Sequence, residues 1–216
     1  MDAPLEILHE DAHLLVVAKP TGVVVVPARG PVPGEPLVKL AGNHVGGKVF
    51  AVHRLDRESS GVVLFAKDEA THRELCALFG GRKVRKLYLA AVQGTVEKDG
   101  TVRRPIKEYG SGRMGFGRDG KPSATSYLVK ERLKGATILE VQPETGRRHQ
   151  IRVHMYSIGH PILGDNLYGN PRPIGGAPRL MLHALSVSFE LPGSAPLTVE
   201  CPPPPDFTAV LSSLRT

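Results

Sequence analysis

Residues 123–143, SATSYLVKERLKGATILEVQP, constrain the fold more than any other stretch. Side chains alternate in polarity on both sides of LKGA, and a period of two belongs to a strand with one buried face. The segment therefore predicts two antiparallel strands turning near LKGA. Further strand signals are HLLVVAK and GVVVVPA, separated by the turn PTG, then GVVLFAK, RKLYLAAVQG and PRLMLHALSVSFEL. Only three stretches read as helix. DEATHRELCALFG is capped by Asp68 and closes near Gly80, and GRRHQIRVHMYSIG places Ile151, Met155 and Ile158 on one face. DFTAVLSSL follows the stiff step CPPPPDF, with Asp206 as its expected N-cap. Long strand runs broken by few helices predict an α+β fold and exclude a doubly wound βαβ sheet. With no repeat and no interior linker, residues 1–216 read as a single domain.

Charge narrows the partner. The net charge of +7 favours a polyanion, and nucleic acid before membrane, because no lysine-rich amphipathic helix is present. The apolar runs are too short to span a bilayer. Cys76 and Cys201 are isolated, which argues for a reducing compartment and against structural zinc. The first residues carry acids where a secretory signal needs basic ones, so a cytoplasmic location is expected. With 5% aromatics and no Trp, an extended base-stacking platform is not expected.

Several apparent motifs lose their meaning in context. Residues 115–120, GFGRDG, match G-x-G-x-x-G, but no hydrophobic strand precedes them and Pro122 stops a helix after them, so they read as a mobile loop. His149 and His154 are five apart and do not share a helical face, while His9 and His13 fall in turn and strand. No G-x-S-x-G and no lysine-bearing P-loop occurs. Neither a metal nor a nucleotide cofactor is expected.

Three sites remain. HRLDRESSG, 53–61, sets Asp56 between Arg54 and Arg57. If it is extended, Arg54 and Asp56 share one side and Leu55 and Arg57 the other. An adjacent guanidinium keeps a carboxylate charged, which suits a nucleophile or electrostatic catalyst better than a general acid. These residues alone favour a structural ion pair over that reading. In TGRRHQIRVHMYSIGHPILGD, 145–165, Arg148, Arg152 and Tyr156 fall at helical spacing. Thr145 and Gly146 at the expected helix start, with Arg147 and Arg148, would make a phosphate site; a solvated charged face fits equally well. Tyr88, in an apolar strand, reads as a core tyrosine or, given so few aromatics, a base-stacking one.

Taken together, HRLDRESSG resembles the signature HRLDxxTSG of the RluA-type pseudouridine synthases. The likeness extends in order through ILHEDAHLLVVAKPTGVVVVPA, RKLYLAAVQG, GKPSATSYLV, TGRRHQIRVHMYSIGHPILGDNLYG and LMLHALSVSFELP, from about residue 6 to 192. Ser59 stands where the family usually has Thr, and Arg148 where Thr is common. The chain starts at the catalytic region with no room for the S4 domain of some relatives, so a catalytic domain alone is expected.

The resemblance implies a mixed, mostly antiparallel central sheet flanked by helices, with a cleft across it. It implies a cofactor-free and metal-free isomerase that turns uridine in a ribosomal or transfer RNA stem-loop into pseudouridine. Carried over by motif, Asp56 is catalytic, Tyr88 lies against the uracil, Arg152 pairs with Asp56, and Arg54 enters the RNA stack. Flipping a base out of that stack costs a few kcal/mol, part of which Arg54 would offset. The carboxylate could attack the sugar, attack the ring, or remove a sugar proton to give a glycal, the route favoured here. The alternatives are a non-catalytic RNA-binding or RNA-chaperone module on the same fold, and a hydrolytic N-glycosidase lacking an obvious second carboxylate. A monomer is the default.

Overall fold

The computed structural model describes residues 5–27, 34–169 and 176–215. In chain order these form β1 (Glu6–Glu10), β2 (Leu14–Lys19), α1 (Leu37–Val45), β3 (Phe50–Ala51), β4 (Ser60–Ala66), α2 (Glu69–Gly80), β5 (Arg85–Gln93) and β6 (Gly100–Arg103). There follow β7 (Ile106–Glu108), β8 (Met114–Phe116), β9 (Ala124–Leu133), β10 (Ala136–Pro143), α3 (Gln150–Ser157), β11 (Leu182–Phe189), β12 (Leu197–Glu200) and α4 (Pro205–Arg215). The architecture is α+β, with mixed and mostly antiparallel sheet and helices against it, as the strand runs predict. The chain divides into two compact units, residues 1–86 with 184–202 and residues 87–183 with 203–216.

The first unit has the strand order β1-β2-β4-β11, with β3 on β4 and β12 on β11. Every residue of β4 is buried, which explains its unbroken apolar run: a central strand has no solvent face to mark with polar residues. Gly61 in β4 has φ +115, and a Cβ there would stand 2.6 Å from the Ala184 nitrogen of β11. Only glycine permits backbones to approach that closely. Asp68 caps α2 as expected, its carboxylate accepting the Thr71 N–H at 2.8 Å. Leu14, Val16, Val62, Leu64 and Leu75 build the core between strands and helix.

GVVVVPA is not a strand; its last residue, Ala28, lies outside the described residues. The carbonyls of Val24 and Val25 instead accept the N–H groups of Leu37 and Val38 at 2.8 and 3.0 Å. They satisfy the first donors of α1, a helix not foreseen in the sequence. Gly46, left-handed at φ 66, ends α1.

In the second unit the order is β5-β10-β9-β6. The predicted hairpin is present: β9 and β10 pair from Ala136↔Leu133 to Pro143↔Thr125, with a register shift between Ile138 and Leu139. Gly135, φ 72, makes the turn. Phe207, Val210, Leu211 and Leu214 of α4 are buried at a helical period. Asp206 lies inside α4 and does not cap it; its carboxylate takes Arg179 at 2.6 and 3.0 Å. The segment 115–120 is not simply a loop, since Gly115 and Phe116 complete β8 in a hairpin with β7. Gly120 lets that turn approach Ile106, whose carbonyl carbon would lie 2.7 Å from an added Cβ.

Among the described residues no helix is long and apolar enough to cross a membrane. None of their His, Cys, Asp and Glu side chains form a group of three that could hold a metal.

Candidate active site

In the first unit, residues 52–58 run from β3 to β4 as an irregular segment ending in a turn, not as an extended strand. Simple alternation therefore does not place the side chains. Leu55 is buried, Asp56 half-buried, and Arg54 and Arg57 exposed. Arg57 donates from Nε to the Gly22 carbonyl at 3.0 Å, and the Gly22 N–H returns a bond to the Arg57 carbonyl at 2.8 Å. Arg57 is thus engaged with backbone at Gly22.

Three more anchors fix the loop. The Lys19 ammonium, 1% exposed, donates to the carbonyls of Pro20, Val23 and Arg57 at 2.8, 2.8 and 3.1 Å. Thr21 Oγ1 donates to the Glu58 carbonyl at 2.8 Å, and the Ser59 N–H to the Asp56 carbonyl at 3.2 Å. A buried ammonium needs several acceptors to offset its lost hydration, and here these carbonyls tie the loop after Asp56 to the loop after β2. At the leading end, His53 accepts the Leu64 N–H at Nε2, 3.1 Å away. Burial, reinforced by the Lys86 ammonium, lowers this imidazole to about 4 and keeps it neutral. Burial also lowers Lys86 itself.

In the second unit, Tyr88 is half-buried in β5 opposite Val141 of β10. The helix expected from residue 146 begins only at Gln150. The cause is the Gln150 side chain, whose Oε1 accepts the Thr145 hydroxyl at 2.6 Å and the Arg147 N–H at 3.1 Å. These groups close a turn ahead of the helix. His149, left-handed at φ 54, then leads into α3.

The proposed stripe of Arg148, Arg152 and Tyr156 is not one surface. Arg148 precedes the helix, is exposed, and meets Glu108 at 3.1 Å. Arg147, partly buried, points Nε at the Pro122 carbonyl 3.4 Å away. Arg152 is fully buried. Its Nε and Nη2 each lie 2.8 Å from the Asp165 carboxylate, whose side chain is also fully buried. Burial would raise Asp165, but the Arg152 hydrogen bonds outweigh it and hold the carboxyl below its ordinary range. Asp165 also accepts the N–H groups of Leu167 and Tyr168, and the Tyr168 ring faces the Arg152 guanidinium at 5.4 Å.

With this geometry described, comparison with known proteins decides the family. The model of the RNA pseudouridylate synthase family matches residues 13–157. The chain belongs to this family. Relatives include ribosomal large subunit pseudouridine synthase D of Nitrosomonas europaea, 39% identical over 98% of this chain and 66% of the relative. The protein of that name in Pseudomonas aeruginosa is 38% identical over 99% of this chain and 73% of its own length. The chain thus spans about two thirds of the length of these curated relatives. The solved structure of human RNA pseudouridylate synthase domain containing 4 superposes with a TM-score of 0.80 at 28% identity, covering 97% of this chain and 93% of the other.

Within this pseudouridylate synthase the motif reading singled out Asp56, Arg54, Tyr88 and Arg152 but passed over Lys19, His53, Lys86 and Asp165. Each of these lay inside a quoted motif. Lys19 ends an apolar strand, an unusual place for a lysine, and that was the signal available for it.

Proposed function

We propose that this chain isomerises specific uridines of structured ribosomal or transfer RNA to pseudouridine, acting as a monomer in the cytoplasm. The reading is carried by one observation: the family match over residues 13–157 contains Asp56, Tyr88 and Arg152 in a single run. That run crosses the boundary between the two compact units, which supports treating residues 1–216 as one catalytic domain.

On this reading Asp56 is the reacting group, with Tyr88 against the uracil and Arg152 supporting the carboxylate. The C1′–N1 bond breaks, the uracil turns while bound, and C5 bonds to C1′. A proton then leaves C5 and N1 carries one, so substrate and product contain the same atoms and no oxidant, reductant or group donor is consumed. The exposed Arg54 fills the gap left by the everted nucleotide. Arg147 and Arg148 contact phosphate, and the net charge of +7 makes binding fall with salt.

The test is to assay pseudouridine in RNA treated with wild type and with Asp56→Asn. Product is expected from wild type, with a loss of ~10²–10⁴-fold in the variant. Equal product from both ends the assignment. Salt-dependent binding by wild type without product would identify a non-catalytic RNA module, and free uracil a glycosidase.

A further inference from the structure

His53 stands three residues before Asp56, at the point where the chain leaves its sheet. β3 pairs with β4 in the register Phe50↔Ala66 and Ala51↔Phe65, which sets Val52 opposite Leu64. The Val52 N–H duly donates to the Leu64 carbonyl at 3.4 Å. In such an antiparallel pair the return bond runs from the Leu64 N–H to the Val52 carbonyl. Here the Leu64 N–H goes to Nε2 of His53, at 3.1 Å. An imidazole nitrogen occupies the place of a backbone carbonyl, and the chain after it is irregular. The ring is held in place by stacking on Phe79, centroids 5.1 Å apart and planes 17° from parallel.

We propose that His53 is a positioning residue: by standing in for the Val52 carbonyl it ends the β3–β4 ladder and sets where Arg54 and Asp56 depart from the sheet. The Lys19 and Gly22 bonds to Arg57 do the corresponding task at the far end. An acceptor at Nε2 requires an uncharged ring with its proton on Nδ1, and desolvation beside Lys86 keeps the ring uncharged. The inference rests on Asp56 being the reacting group.

His53→Phe keeps the stack on Phe79 and removes the acceptor, while His53→Gln restores a neutral acceptor. In single-turnover assays at saturating RNA, His53→Phe should lose ~10–100-fold in rate with KM for RNA nearly unchanged, because misplacement by about 1 Å is enough. His53→Gln should recover most of that loss. Amide exchange at Leu64 should quicken in the Phe variant and slow again in the Gln variant. Full activity in His53→Phe, or a Gln variant no better than it, overturns the proposal. Should His53→Phe fail to fold, the ring nitrogen shifts of wild type decide, since a proton on Nε2 excludes the bond. Asp56→Asn runs alongside: an active variant removes the Asp56 assignment, whereas an inactive one beside an unimpaired His53→Phe removes only the role of His53.

Discussion

Two aspartates of this chain stand close to arginines, and their surroundings differ completely. Asp56 has arginines on both sides in sequence, yet it is half-buried in an irregular loop whose position is set by backbone bonds. Asp165 has no arginine within six residues in sequence, yet it holds Arg152 through two 2.8 Å bonds in full burial. An ion removed from water must be compensated, so removing either partner of the buried Arg152–Asp165 pair is costly.

The contrast can be broken by exchanging charge for amide at each site. Asp56→Asn should remove turnover by ~10²–10⁴-fold and leave the urea midpoint near wild type. Asp165→Asn should do the reverse in kind, costing about 3–5 kcal/mol in urea unfolding by leaving a guanidinium buried without its carboxylate. If Asp165→Asn is as stable as wild type, the pair is not the strut described here.

Acid should sharpen the same division. The Asp165 carboxyl is lowered in the folded state, so its contribution is complete above the ordinary Asp range near 4 and is lost as pH falls through the folded value. His53 acts earlier. Its folded pKa of about 4 lies below the ordinary 6.5, so the unfolded chain binds the proton first and stability declines as pH falls from 6.5 to 4. Urea titrations at pH 7.5 and 5 should show the decline in wild type and a shallower one in His53→Gln; equal slopes would count against a neutral ring at position 53.

Smaller effects are expected at the arginines beside Asp56. Arg54→Ala should reduce turnover on folded stem-loops about tenfold more than on loose single strands, because only the former require flipping. An equal loss on both excludes the stacking role. Arg57→Ala should shift stability by only ~1 kcal/mol or less, the net worth of one exposed hydrogen bond, and that is measurable in the same urea experiment.

Much of the scaffold was readable in the residues themselves. The β9–β10 hairpin followed from alternation, α2 from its aspartate cap, and α4 from the proline step ahead of it, although Asp206 lies inside that helix. The failures share a physical cause. The run GVVVVPA has the composition of a strand, but its backbone partners are the first amides of α1, and a continuous apolar run carries no periodicity to reveal that. The start of α3 was misplaced because one side chain, Gln150, reaches back to close the preceding turn. For the candidate site, the motif singled out Asp56, Tyr88 and Arg152. Their supports were hidden because Lys19, His53 and Asp165 act through backbone carbonyls, a backbone amide and a partner thirteen residues distant. Beyond the unusual placement of Lys19 at the end of an apolar strand, no local pattern encodes those.

The glycine that closes HRLDRESSG has a separate consequence. Position 61 is forced by the approach of β11 and not by anything an enzyme does to a nucleotide. A descendant that abandoned its reaction but kept its architecture would still spell that letter, so the nonapeptide reports ancestry at its last residue.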